Sequence, residues 1–67
     1  MLLKTLFKES DGGQYRTEIY KEDETNYYIK FYGPAGSIKT TNYNNSSIPF
    51  VENVALAWLD GIKVLNG

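Results

Sequence analysis

The chain has no cysteine and no histidine. The first absence removes disulfides, thiolate nucleophiles and cysteine-based zinc sites. The second removes imidazole metal ligands and any Ser-His or Cys-His catalytic pair. No apolar run approaches the roughly 20 residues that a membrane span needs. An excess of one charge is missing too: seven Lys+Arg stand against eight Asp+Glu, a net charge of −1. A global drive towards nucleic acid is therefore lacking, and any such binding needs a local basic patch. The opening Met1–Lys8 is broken by Lys4 and carries no small-residue cleavage site, so no signal peptide is read there and a cytoplasmic location is expected.

Within 67 residues there is room for one small domain over 1–67. A chain of this length buries only about 60% of the surface that its unfolded form exposes. What it does contain is core material: 42% hydrophobic and 15% aromatic residues, with six Tyr and three Phe. Asn, Ile, Lys, Tyr and Phe, all with AT-rich codons, make 26 of the 67 residues, which points to an AT-rich bacterial or phage genome.

The pattern predicts four strands and then one helix. Leu2–Glu9 reads as a strand, and Asp11-Gly12-Gly13 supplies a tight turn. Tyr15–Lys21 follows, then an acidic turn at Glu22-Asp23-Glu24-Thr25-Asn26. Tyr27–Tyr32 is the strongest strand, aromatic and β-branched. Gly33-Pro34-Ala35-Gly36 ends it, and Ser37–Tyr43 makes the fourth. Beyond Asn44-Asn45-Ser46-Ser47 a helix is predicted over Pro49–Leu65, capped by Ser47 with Pro49 in its first turn. Val51, Val54, Trp58, Ile62 and Leu65 recur at helical spacing. Phe50, Ala55, Ala57, Leu59 and Val64 widen the apolar arc beyond the roughly 100° stripe of a helix packed on one surface. The expected fold is thus α+β, a four-stranded antiparallel meander followed by one C-terminal helix packed on one face.

Alternation assigns the faces. Leu3, Phe7, Ile19, Ile29, Phe31 and Ile38 are expected under the helix, with Thr5, Thr17 and Thr40 on the same side; the first strand is ambiguous, because this choice leaves Leu6 outside with Lys4 and Lys8. Lys4, Leu6, Lys8, Arg16, Tyr20, Tyr28, Lys30, Tyr32, Lys39 and Tyr43 are expected on the open side, diluted by Glu18 and Glu22. Rings among cations on an open sheet suit single-stranded nucleic acid, because every base has a face to stack and cations follow the phosphates. Tyr and Lys also pair well across strands with no ligand at all, and the same face would serve as a protein interface. Arg16, Tyr20, Tyr28, Lys30, Tyr32 and Lys39 are the candidate ligand face. Val51, Val54, Ala55, Trp58, Leu59 and Ile62 are the candidate dimer or core face of the helix.

Other chemistry falls away on spacing. Gly33 to Thr40 lacks the four residues between glycines, and the Lys directly after the second, that a phosphate loop requires. Glu22-Asp23-Glu24 lacks the alternating ligands of a calcium loop. Glu18 and Glu22 have no neighbouring nucleophile. No catalytic residue, metal site or cofactor is expected, and the chain is read as a non-enzyme. In topology alone, four strands then a helix resembles the single-stranded-DNA-binding coactivator and Pur/Whirly-type folds. That resemblance implies pairing through helices and nucleic acid on the sheet, and no motif residue carries it. The functional expectation is a non-enzymatic protein–protein interaction module, a homodimer by way of the broad helix arc. Weak single-stranded nucleic-acid binding on the sheet is the alternative.

Overall fold

The computed structural model describes residues 1–8 and 14–61. Four antiparallel strands form one open sheet in the order of the chain: β1 (Leu2–Phe7), β2 (Arg16–Lys21), β3 (Tyr27–Gly33) and β4 (Gly36–Tyr43). One helix, α1 (Ile48–Gly61), follows and lies over β1, β2 and β3. The architecture is the α+β meander that the pattern predicts. The Asp11-Gly12-Gly13 turn and the expectations for Glu9, Ile62, Lys63, Val64 and Leu65 lie outside the described residues. Among the described residues no helix is long and apolar enough to cross a membrane.

Local chemistry accounts for the joints. In the β2–β3 turn, Asp23 Oδ1 accepts the backbone N–H groups of Thr25 (3.1 Å) and Asn26 (3.0 Å), while Oδ2 accepts Asn26 Nδ2 at 2.8 Å. The Asn26 amide, more than the Thr25 N–H, holds the Asp23 carboxyl below the usual carboxylate range. This acidic turn is thus built around its central carboxylate, whose two oxygens are both engaged. Asn26 Oδ1 also accepts the backbone N–H of Asn45 at 3.2 Å, and Thr25 O accepts that of Ser46 at 2.9 Å. The chain entering the helix is thereby tied to the β2–β3 turn, with Asn45 at a φ of 55°, a conformation Asn tolerates. The β3–β4 turn closes on Gly36, whose φ of +112° suits a residue without Cβ. Ser47 Oγ accepts the Phe50 N–H at 3.4 Å and its carbonyl accepts the Val51 N–H at 3.1 Å, so Ser47 caps the helix as expected.

The core lies between sheet and helix. Ile19, Tyr27, Ile29 and Phe31 from the central strands meet Val51 and Ala55 from the helix, all buried, and Leu59 is buried as well. Leu6, Tyr43, Val54 and Trp58 pack at its margin. Trp58 stands edge-on to Phe31 (centroids 4.9 Å apart) and to Tyr15 (6.2 Å). The central strands follow the expected alternation, and β3 is buried at Tyr27, Ile29, Phe31 and Gly33 in turn.

Both edge strands depart from it. A register irregularity between Leu2 and Lys4 leaves Leu2 opposite Tyr20 but Lys4 opposite Ile19. One extra residue in a strand exchanges its faces. Lys4, Leu6 and Lys8 therefore lie on the helix side, and Thr5 and Phe7 on the open side, the reverse of the expected assignment. Leu6 sits opposite the buried Thr17. The lysines are accommodated because an edge strand lets their long stems run along the helix to its polar flanks. Lys4 Nζ lies 3.0 Å from Glu52 Oε2, and Lys8 Nζ donates to the Leu59 carbonyl at 2.9 Å. On β4 the register shifts between Phe31 and Tyr32. Lys39 and Tyr43 consequently fall on the helix side and Thr40 on the open side, again against expectation. Tyr43 meets Phe50 edge-on at 6.1 Å. Ile38 lies at the irregularity and reaches the helix side of the sheet near Gly33 and Tyr15, as expected, but stays 53% exposed beyond the helix's cover.

Candidate functional site

The open face of the sheet is three rows deep. Cross-strand pairing gives Phe7–Arg16–Tyr32–Ser37, Thr5–Glu18–Lys30–Thr40 and Leu2–Tyr20–Tyr28–Asn42. Of the six candidate ligand residues, Arg16, Tyr20, Tyr28, Lys30 and Tyr32 come together in the β2–β3 columns. Lys39 does not join them: it lies on the helix side, its ammonium 4.9 Å from the centre of the Phe31 ring.

The central residues pack sideways on one another. Tyr20 and Tyr28 stack with centroids 4.8 Å apart and planes 5° from parallel. The Arg16 guanidinium lies 4.1 Å over the Tyr32 ring, and Lys30 Nζ lies 5.0 Å over the Tyr20 ring. Glu18 sits in the middle. Its Oε1 accepts the Tyr20 hydroxyl at 2.8 Å, and its Oε2 is 3.7 Å from Arg16 Nε. Donation to this carboxylate is the main reason the Tyr20 phenol is pushed up to about 12, with desolvation and the Glu18 charge adding to it. All six of these residues are half-buried although, among the described residues, no second layer lies over them. The exposed members are at the margins: Leu2 and Phe7 on β1, and Ser37, Thr40 and Asn42 on β4.

Charge is sparser here than alternation predicts. With Lys4, Lys8 and Lys39 on the other side, the rows hold two cations, Arg16 and Lys30, around one carboxylate, Glu18. Leu2 and Phe7 are face members that sequence reasoning placed elsewhere or passed over. The signal within residues 2–7 is Leu6, an apolar residue that the alternation leaves outside and that the structure sets opposite the buried Thr17.

The helix candidates have a different fate. Val51, Ala55 and Leu59 are buried against the chain's own sheet, with Val54 and Trp58 half-buried beside them. Ile62 lies outside the described residues. Of the wider arc, Ala57 is exposed and Phe50 is 53% exposed. Leu56, 47% exposed, projects from another side of the helix. Elsewhere, an open hollow of about 490 Å³ is lined by Asn45, Ser46, Ser47 and Phe50 and contains no charged group. Among the described residues no group of three acidic side chains is placed to hold a metal ion. The chain matches no protein-family model, no curated protein and no solved structure.

Proposed function

We propose that the chain is a small non-enzymatic interaction module that works as a homodimer through the open face of its sheet. One observation carries this reading. The face without a helix gathers Tyr20, Tyr28, Tyr32 and Arg16 around a central Glu18–Lys30 row, bordered by Leu2 and Phe7, which are 48% and 55% exposed. Tyr and Arg are enriched at the centres of protein interfaces, where flat amphipathic groups bind at low entropic cost. A small core also gains stability when a partner covers apolar surface. Among the described residues of the helix arc, by contrast, Val51, Ala55 and Leu59 are buried and Val54 and Trp58 half-buried within the chain, so support for self-association moves to the sheet. Sedimentation velocity over a concentration series tests it. A dimer at tens of micromolar that dissociates to a 7.6 kDa monomer on dilution is expected. A monomer at every concentration overturns the reading.

Single-stranded nucleic acid is the second reading, favoured by Tyr28, Lys30 and Tyr32 sharing a face with Arg16 and Tyr20. Free rings would offer about 1–3 kcal/mol of stacking per base. Here the faces of Tyr20, Tyr28 and Tyr32 are partly taken by each other and by Arg16, and Glu18 repels phosphate. Fluorescence anisotropy with short labelled oligonucleotides at low and moderate salt separates the two readings. Salt-sensitive binding lost in a Tyr28→Ala/Tyr32→Ala double variant supports nucleic acid, and no binding at low salt ends it.

A further inference from the structure

We infer that two copies pack sheet against sheet about a two-fold axis parallel to the strands, midway between β2 and β3, so that Glu18 of each copy meets Lys30 of the other. This inference rests on the homodimer reading and specifies its geometry.

The pattern of the rows selects the axis. A two-fold axis along the strands keeps each row opposite itself and exchanges β2 with β3 and β1 with β4. In the middle row Glu18 then faces Lys30, and Thr5 faces Thr40. In the first row Arg16 faces Tyr32, and Phe7 faces Ser37. In the third row Tyr20 faces Tyr28, and Leu2 faces Asn42. Every match is complementary. Charges meet opposite charges, the guanidinium meets a ring, and the bulky apolar groups on β1 meet short polar residues on β4. An axis across the strands instead lays each strand on its own copy, setting Glu18 against Glu18 and Lys30 against Lys30. Like charges opposed in this way are penalised at an interface.

Two further features fit. Among the described residues no carboxylate lies within 4.0 Å of Lys30, although Glu18 is its cross-strand neighbour. The Glu18 carboxylate holds the Tyr20 hydroxyl and lies near Arg16, and it still has lone pairs for a third donor. Packed sheets are rotated by about 30° through their twist, and that rotation displaces the central row least. Strands about 4.8 Å apart and rows under about 7 Å apart make a patch on the order of 400 Å². Two such patches bury about 800 Å² in total, below the roughly 1,000 Å² of a stable specific interface, so the association expected is weak and readily reversed.

Charge reversal and mixing test the geometry, with the full chain followed by sedimentation velocity and folding followed by circular dichroism. Glu18→Lys and Lys30→Glu each oppose like charges twice across the dimer, so each should weaken association by about tenfold or more. An equimolar mixture of the two should restore it to within about threefold of wild type, because each copy then supplies the charge that the other needs. The like-charged neighbours inside each chain remain in the mixture, so a merely intrachain effect is not rescued. The Glu18→Lys/Lys30→Glu double variant should also dimerise as wild type does. Should either single variant fail to fold, Phe7→Ala at the exposed rim takes its place, with several-fold weaker association expected. A wild-type dimer indifferent to all these changes overturns this geometry and leaves self-association standing. Single variants that match wild type, with a mixture tighter than wild type, overturn it in favour of the crosswise axis. A wild-type monomer that binds oligonucleotide overturns the homodimer reading itself.

Discussion

The two faces of this sheet alternate along the same central strands, yet they reach burial by different physics. Under the helix, Ile19, Ile29 and Phe31 are 1%, 0% and 2% exposed because a second layer covers them. On the open side, Arg16, Glu18, Tyr20, Tyr28, Lys30 and Tyr32 are half-buried because they lie flat on one another. Layered burial removes apolar area from water at roughly 25 cal/mol per Å². Lateral packing offers about 0.5–1 kcal/mol for a cation over a ring at an exposed site. The covered face therefore holds the fold together, and the open face contributes less to it.

The sharpest way to break that comparison uses adjacent residues on β3. Phe31→Ala should cost about 3–5 kcal/mol, enough to unfold a domain of this size. Tyr32→Ala, one residue along and on the other face, should cost no more than about 1 kcal/mol. Urea denaturation that gives the two variants equal losses would erase the distinction between the faces.

Thr17 is a smaller lever. Its hydroxyl is fully buried beneath the helix and has no hydrogen-bond partner among the described residues. Leaving a polar group dry and unpaired is unfavourable, and β-branched Val keeps the shape and suits a strand. Thr17→Val should therefore stabilise the fold by about 1 kcal/mol. A lower midpoint of urea denaturation would show that the covered face needs that hydroxyl.

The smallest effect tests the open face through its protons. The Tyr20 phenol, raised from the ordinary 10.0 to about 12, should ionise after the other tyrosines in an absorbance titration near 295 nm. A raised value in the folded state means that its contribution to stability is complete below pH 10 and lost as pH rises through about 12. Glu18→Gln should return the titration towards 10 by removing the charged acceptor. A late titration that persists in Glu18→Gln would place its cause outside the Glu18 contact.

Much of the architecture was legible because the local signals agree. The run Tyr27–Tyr32 alternates cleanly and pairs on both sides. Ser47 caps, Pro49 fits a first turn, and Val51, Ala55 and Leu59 recur at a period that only a helix presents to one surface. The candidate site was legible where it sits on β2 and β3, whose residues Arg16, Tyr20, Tyr28, Lys30 and Tyr32 fall on the side that alternation assigns. It was illegible at the edges. Lys39 crossed to the helix side and Phe7 to the open side, each beyond a register irregularity.

The order of residues by itself determined the elements, their sequence and the faces of the central strands, because turn chemistry and hydrophobic period act over a few residues. Tertiary structure decided the rest. The faces of β1 and β4 depend on where an unpaired residue is inserted, and pairing with a neighbour strand settles that. Lys4 and Lys8 turn inward because Glu52 and the Leu59 carbonyl, 48 and 51 residues away, wait there to receive them. An edge strand has only one neighbour to hold its register, so its orientation follows from contacts that no short stretch of sequence contains.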